Sequence, residues 1–566
     1  LQYLPVQFGL AAAVWIALAI RQGYDFDWDI LNYHFYNGFA LIHGRTFTNM
    51  QPAMLQSYFA PTMDAGFYVL AHLLRPTFVV VILATCQSLA LPLLFRLSQE
   101  LLCDHVRSGV WLTSIALLLT LLGAAAPASI WQAGSPRGDT TTAVLVVAAL
   151  LCVTQALVNS QGSISPRRAA FAGALVGLAV GLKLTNAPFA FGLLAALLVP
   201  LSSMESGAAR RVSVRGVAAC LFGMSAAFLA SYGWWGLSLY QHFGNPVFPN
   251  FNQLFHSPYA APVSYADPVF AVPTWQARLL FPFVRNSIFE PMDPAGLFDL
   301  RMAFAVPLCA IGFSVGSWRG AEKGAGTGRH LAGLALLVFV LISYLGWLLV
   351  FRVNRYLVAV DLVAPLACSV AVAVAWRGRL AIGALAVILA VILPASAYHT
   401  RHLYWLPGDH RHGREGGYFG VSLNAPPGLD NGVVAMLGDR PTTFVIPFFP
   451  SNTIFVRLQG SLFYPVPGFK ELNEKSSAAT RRAVFGNAMS AAICRRLDET
   501  KAGLFVLRLL PRDTPHDQAA LAYYGLKYDA TTCQPVRNKS AMLIDLCPAI
   551  RTADPECSSS DSTERG

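Results

Sequence analysis

Eleven apolar stretches recur along this chain, at 4–20, 76–97, 107–125, 139–158, 168–184, 185–201, 214–240, 302–317, 330–351, 356–375 and 380–397. As helices, most can cross a hydrocarbon layer of ~30 Å, the shortest only just. Lipid offers no partner for backbone amides and carbonyls, so each such stretch is committed to helix. The composition agrees: 55% of residues are hydrophobic, 13% are charged, and mean hydropathy is +0.49. The expected fold class is an α-helical polytopic membrane protein of about 11 transmembrane helices. The net charge of +11 does not require a nucleic-acid partner. Much of the excess lies in short loops at Arg96 and Arg107, Arg167 and Arg168, Arg210, Arg211 and Arg215, Arg319, Lys323 and Arg329, and Arg377 and Arg379. With the N-terminus inside, these are the inside loops, and every one is basic as orientation demands. Eleven crossings then put the C-terminal region outside. No cleavable signal peptide is expected, because the first apolar stretch lacks a basic flank and a small-residue cleavage site.

Against this topology, five cations stand on the outer side: Arg45, Arg137, Lys183, Arg352 and Arg355. An anionic ligand is one reason for them. Lipid headgroups or a nearby carboxylate, such as Asp139 for Arg137, are the other. Arg352 and Arg355, two guanidinium groups in the run Arg352–Tyr356, suit phosphate best. Lys183 ends the run GALVGLAVGLK, in which Gly173, Gly177 and Gly181 are spaced for close helix approach. Gly134–Asp139 reads as a turn feeding a helix start, so Asp139 is as much a structural candidate as a catalytic one.

The largest polar investment beside the membrane is Tyr24–Arg45. It holds Asp25, Asp27, Asp29, Asn32, Tyr33, His34, Tyr36, Asn37, His43 and Arg45. Asp29–His43 is expected to form a surface helix that Asp27 or Asp29 caps and Gly44 ends, with Leu31, Phe35, Phe39 and Ile42 on one face. Capping needs one carboxylate and three are present, so at least one is a functional candidate. Phe67–Leu74 is expected as an interfacial helix. The long outer loop 241–300, with FGNPVFPNFNQLFHSP, suits either a sugar or lipid groove or an interfacial aromatic belt.

After His399 no membrane-length run appears. VVAMLG, TTFVIPFF, TIFVRL, LFVLRLLP and AMLIDLC are expected as strands, and Ser476–Leu497 and Asp517–Tyr524 as helices, giving a small α/β domain. Cys533 and Cys547 flank a hairpin turning near Arg537-Asn538-Lys539 and are expected to pair. The domains are expected as 1–398 for the membrane part, with outer loops 21–61 and 241–300, 399–551 for the α/β part, and 552–566 as a disordered tail. No phosphate-binding GxxxxGK loop, GxGxxG after a strand or HExxH occurs, and no GxSxG sits in strand–turn–helix context, which weighs against an ATP-driven pump, a dehydrogenase or a zinc protease.

The phrases DWDILNYHFYNGFALIHGR, LQSYFAPTMDAGFYVL, GLAVGLKLTNAPF, FGNPVFPNFNQLFHSP and RVNRYL, together with the topology, are similar to a bacterial inner-membrane branch of the GT-C superfamily. That superfamily comprises integral-membrane glycosyltransferases, among them the protein O-mannosyltransferases and the aminoarabinose transferases of lipid A. The resemblance covers roughly residues 1–400. It implies a polyprenyl-phosphate-linked sugar as donor and an envelope glycan, lipid or protein as acceptor. It also implies a multi-pass protein of the inner membrane with a cytoplasmic N-terminus and a periplasmic C-terminal domain. A first-loop carboxylate acts as general base, Asp29 or Asp27. Asp29 is favoured because α-helical spacing puts it on the side of Tyr33 and Tyr36–Asn37. Lys183, Arg352, Arg355 and His34 are the donor-phosphate candidates. Asp25, Tyr33, Asn37, His43, Arg45, Arg137 and Asp139 are secondary. No cofactor is required. Three aspartates are compatible with a divalent metal, but the run lacks the Gly and distal Glu of a calcium loop, and none is assigned. A polyprenyl-lipid transporter and a non-enzymatic envelope scaffold are the alternatives. The clean centres of the apolar stretches favour chemistry at the outer surface over a midplane transport site.

Overall fold

The computed structural model describes residues 4–106, 109–160, 162–202, 207–263, 265, 274–284, 299–322, 328–376, 387–389, 391, 411–412, 418–463, 475–510, 513–540 and 542–558. Among them, seven helices are long and apolar enough to cross a membrane: Pro76–Leu102, Asp139–Asn159, Leu184–Leu201, Arg211–Phe243, Arg301–Arg319, Gly328–Val350 and Asn354–Ala375. Phe8–Gln22 and Gly109–Ala124 are shorter apolar helices. The expected stretch 168–184 is the helix Pro166–Leu182, and 380–397 lies almost entirely outside the described residues. Pro76–Leu102 is interrupted at Leu89, between helices Pro76–Ser88 and Ala90–Leu102. The interruption puts Pro92 in the first turn of a new helix, where its missing amide costs nothing.

The chain packs as two compact units. One comprises 1–24, 80–233 and 266–409, and the other 25–79, 234–265 and 410–566. In the first unit, Asn354–Ala375 is almost wholly enclosed, as its mostly Val/Ala/Leu composition favours, and it takes Asp361 and Ser369 into the interior with it. Pro166–Leu182 lies against Gly207–Phe228 through its glycines. A Cβ added at Gly173 would overlap the Cys220 carbonyl, one at Gly177 the Met224 carbonyl, and one at Gly181 the Ser231 hydroxyl. Gly223 answers from the other helix, facing the Ala170 carbonyl. Backbones this close cannot admit a side chain. Gly177→Val is therefore expected to cost about 1–3 kcal/mol from overpacking. The loss should appear as earlier thermal unfolding in detergent, and Gly9→Val, where no atom lies within 4 Å of an added Cβ, should change nothing.

The second unit carries a mixed sheet of β1 (Val433–Met436), β2 (Ile454–Arg457), β3 (Leu504–Leu509), β4 (Leu526–Tyr528), β5 (Gln534–Val536) and β6 (Ile544–Arg551). Its order is β2-β1-β3-β6-β4, and β5 also pairs with β6. β1 runs parallel to β2 and β3, in register Val433↔Ile454 and Val433↔Leu504. β6 runs antiparallel to β3, Val506↔Cys547. The β5–β6 hairpin pairs Val536 with Ile544, and Cys533 and Cys547 form a disulfide beside it. Helices Ala478–Phe485, Ala488–Asp498 and Pro515–Tyr523 belong to the same unit, the first two replacing the single helix expected over Ser476–Leu497, which breaks at Gly486 and Asn487.

Two further expectations are corrected here. TTFVIPFF is a 3-10 turn, Thr443–Phe448, and not a strand. Pro447 cannot donate to a ladder, and the Thr443 hydroxyl donates to the carbonyls of Leu31 and Asn32 instead. The expected disordered tail is tied down as far as Ser558. Cys557 is bonded to Cys494, and Glu556 pairs with Arg481. The odd spacing of 63 residues between those cysteines offered no local signal.

Candidate active site

The first loop belongs to the second unit, and the sheet edge holds it. Asn49–Gln51 runs alongside β2. Met50 donates to the Phe455 carbonyl at 2.8 Å and accepts from the Arg457 amide at 3.0 Å. Asn49 Oδ1 accepts from the Phe455 amide at 3.0 Å, and Gln51 Nε2 donates to the Arg457 carbonyl at 2.9 Å. An otherwise open strand edge is thereby covered. Arg45 joins this seam, donating to Asn49 Oδ1 at 3.3 Å and to the Thr453 carbonyl. That is the local reason for a cation on its side. Partial burial holds its guanidinium below the ordinary value, and Tyr36 opposes the shift.

Each first-loop carboxylate has a different setting. Asp25 Oδ1 accepts from the Asp27 amide at 2.9 Å, a local turn contact. The Asp27 carbonyl accepts from the amides of Ile30 at 3.0 Å and Leu31 at 3.1 Å, starting the helix, and its side chain is half-buried. Asp29 is 7% exposed and makes no side-chain cap hydrogen bond. The capping role expected as one explanation of Asp29 is therefore not the one it plays.

The helix also begins differently from expectation. Ile30–His34 is a π-turn, followed by the α-helix Phe35–Ile42. The π-turn widens the helical spacing at this point, so the α-helical grouping of Asp29 with Tyr33 and Tyr36–Asn37 does not carry over unchanged. Such turns cluster at functional sites. Gly44, at φ +63°, ends the helix as expected. The Tyr33 ring lies 4.1 Å from the His34 ring. Asn37 Nδ2 donates to the Gln56 carbonyl at 2.9 Å. His43 Nε2 lies 3.3 Å from the Tyr68 hydroxyl. His34 meets a residue that sequence reasoning missed: its Nδ1 is 2.6 Å from Oδ1 of Asp64, both buried. Asp64 lies in the first turn of the helix Thr62–Leu73. A carboxylate there, three residues past Pro61 and ahead of an apolar run, was the available signal.

In the first unit, several of the cations expected on the outer side are brought together. Gly138, in the left-handed region at φ +89°, turns the chain into Asp139–Asn159. Asp139 pairs with Lys183 at 2.6 Å, and Lys183 also donates to the Arg137 carbonyl at 2.7 Å. The Arg137 guanidinium lies 3.7 Å over the Trp131 ring. Tyr356 has Lys183 at 5.5 Å and Arg355 at 5.2 Å from its ring centre. Arg352 adopts φ +58°. Burial lowers its pKa from the usual guanidinium range, and nearby Arg278 lowers it further. Arg278 and Tyr356 were not among the sequence candidates. Among the described residues, no group of three His, Cys, Asp or Glu side chains is arranged to hold a metal ion.

No family model matches the chain, and no curated protein matches it. Among the solved structures similar to it are the following two. One is the arabinofuranosyltransferase AftD from Mycobacteria, at 16% identity and a TM-score of 0.49, over 97% of this chain and 42% of that one. The other is ArnT from Cupriavidus metallidurans bound to undecaprenyl phosphate, at 14% identity and a TM-score of 0.45, over 96% of this chain and 97% of that one. The chain thus spans about two fifths of AftD. At these scores neither likeness assigns a role to a residue here.

Proposed function

We propose that this chain is a membrane glycosyltransferase that moves a sugar from a polyprenyl-phosphate donor to an acceptor hydroxyl of the cell envelope. The observation that carries the reading is Asp29, a buried carboxylate without a capping duty at the head of a π-turn, in a chain of membrane-length helices. Buried ionisable groups beside a membrane are costly and are functional by default. Asp29 takes the proton of the acceptor hydroxyl, and Asp27 is the second candidate. The acceptor oxygen bonds to C1 of the sugar, the bond from C1 to the phosphate oxygen breaks, and polyprenyl phosphate leaves with the electron pair. Attack opposite the leaving group inverts C1. The leaving phosphate gains charge, which fixed cations stabilise. Lys183, Arg352 and Arg355 are assigned to it, Lys183 carrying Asp139 as counter-ion. The reaction needs no cofactor. The chain is placed in the inner membrane with its N-terminus cytoplasmic and its sheet-bearing region periplasmic.

The test is a panel of radiolabelled polyprenyl-phosphate sugars added to membranes containing the full chain and an envelope extract. One donor should be consumed, with label passing to the extract and free polyprenyl phosphate appearing in equal amount. Binding of donors without consumption, together with their movement across the bilayer, would replace the enzyme with a transporter.

A further inference from the structure

The first loop displays hydrogen-bond acceptors in excess. Asn32 Nδ2 donates to the Ala53 carbonyl at 3.4 Å, Asn37 Nδ2 to the Gln56 carbonyl at 2.9 Å, and Gln51 Nε2 to the Arg457 carbonyl at 2.9 Å. A backbone carbonyl only accepts, so each amide is oriented by its partner and its oxygen is left over. Oδ1 of Asn32, Oδ1 of Asn37 and Oε1 of Gln51 are buried with no hydrogen-bond partner among the described residues. Asn32 and Asn37 are five apart and reach the same segment, Ala53–Gln56, from the π-turn and the helix after it.

His34 stands between them. A carboxylate only accepts, so the proton shared with Asp64 sits on Nδ1 of the imidazole. In the Nδ1–H tautomer Nε2 is an acceptor. It too is buried without a partner among the described residues, and His34 is 5% exposed. The pairing is built into the backbone. A Cβ at Gly38, one turn beyond His34, would overlap the Asp64 carbonyl, so the helices bearing His34 and Asp64 approach through a glycine. Carboxylate-held imidazoles of this kind have a fixed ring and a directed second nitrogen.

Buried acceptors beside a carboxylate disfavour an anion and call for a donor. We propose that Nε2 of His34, oriented by Asp64, accepts a hydrogen bond from a hydroxyl of the donor sugar, and that Asn32 and Asn37 supply flanking acceptors. The assignment rests on the glycosyltransferase reading for the identity of its ligand, and it gives His34 a sugar contact in place of a phosphate contact. Asp64 is a positioning residue.

The experiment is nitrogen NMR of the full chain labelled with 15N-histidine in nanodiscs, with His34 identified by its loss in His34→Gln. The unliganded ring should be neutral with its proton on Nδ1. The sugar-bearing members of the donor panel should include one that shifts the Nε2 resonance, and polyprenyl phosphate alone should not. Asp64→Asn should lose the tautomer bias and raise KM on the order of tenfold, the worth of one hydrogen bond at a built site, with kcat falling less. Asp64→Glu should restore part of both. A shift caused by polyprenyl phosphate alone overturns the assignment in favour of the phosphate. A resonance that no panel member moves overturns it outright. Transfer without a shift defeats this inference and leaves the glycosyltransferase standing. A sugar-dependent shift without transfer does the reverse.

Discussion

Asp29→Asn should lower sugar transfer by roughly 10²–10⁴-fold, the contribution of a positioned general base, while leaving the protein folded. The two halves of that expectation have separate grounds. The substitution keeps the shape of the side chain and removes its basicity, so proton removal from the acceptor hydroxyl fails. The fold does not depend on the carboxylate as a cap, because Asp29 makes no side-chain cap hydrogen bond and the helix starts from the Asp27 carbonyl. Asp25→Asn is the contrasting control. Its oxygen accepts from the Asp27 amide and an asparagine oxygen can do the same, so this buried position should keep most of the transfer activity that Asp29→Asn loses. The measurement is the initial rate of polyprenyl phosphate release with each variant, beside its melting temperature. Full activity in Asp29→Asn with loss in Asp27→Asn would move the base by two residues. Full activity in both would remove the carboxylate mechanism.

What the sequence made legible was set by local patterns. Apolar length located the membrane helices. A four-residue glycine spacing located the Pro166–Leu182 contact, and short apolar runs located β1, β2, β3 and β6. Cys533 and Cys547 lay either side of a hairpin whose turn could be read. The first-loop acidic cluster stood out by its cost beside a membrane. What escaped was made by long-range packing. Asp64 meets His34 across 30 residues, and Met50 meets β2 across some 400. The π-turn follows from no composition rule, and the Thr443 hydroxyl that donates to its Leu31 and Asn32 carbonyls comes from a distant part of the chain. The pairing of Lys183 with Asp139 was likewise invisible, since nothing in either loop specifies the other.

Arg457→Met should detach the first loop from the sheet edge at a cost of about 2–6 kcal/mol, since two buried carbonyls lose their donor at about 1–3 kcal/mol each. Arg457 is fully buried at the end of β2. It donates to the carbonyl of Pro52, to the carbonyl of Gly438 at 2.5 Å and to the Thr442 hydroxyl at 3.1 Å. Desolvation lowers its pKa to about 10, with Asp439 and Asp517 opposing the shift, so it remains charged at neutral pH. Methionine fills similar volume and leaves two carbonyls without donors. The Pro52 carbonyl matters most, because the residues after it receive Asn32 and Asn37 from the π-turn and its helix. Loosening that segment should therefore weaken transfer as well as stability. Arg457→Lys should recover little, since an ammonium cannot reproduce the planar fork that reaches three partners. The measurement is limited proteolysis across residues 46–56 together with thermal unfolding. New cleavage there at a temperature where the sheet is still folded is the expected result. Wild-type protection and an unchanged melting temperature in Arg457→Met would mean that the backbone pairing of Met50 with β2 holds the loop by itself.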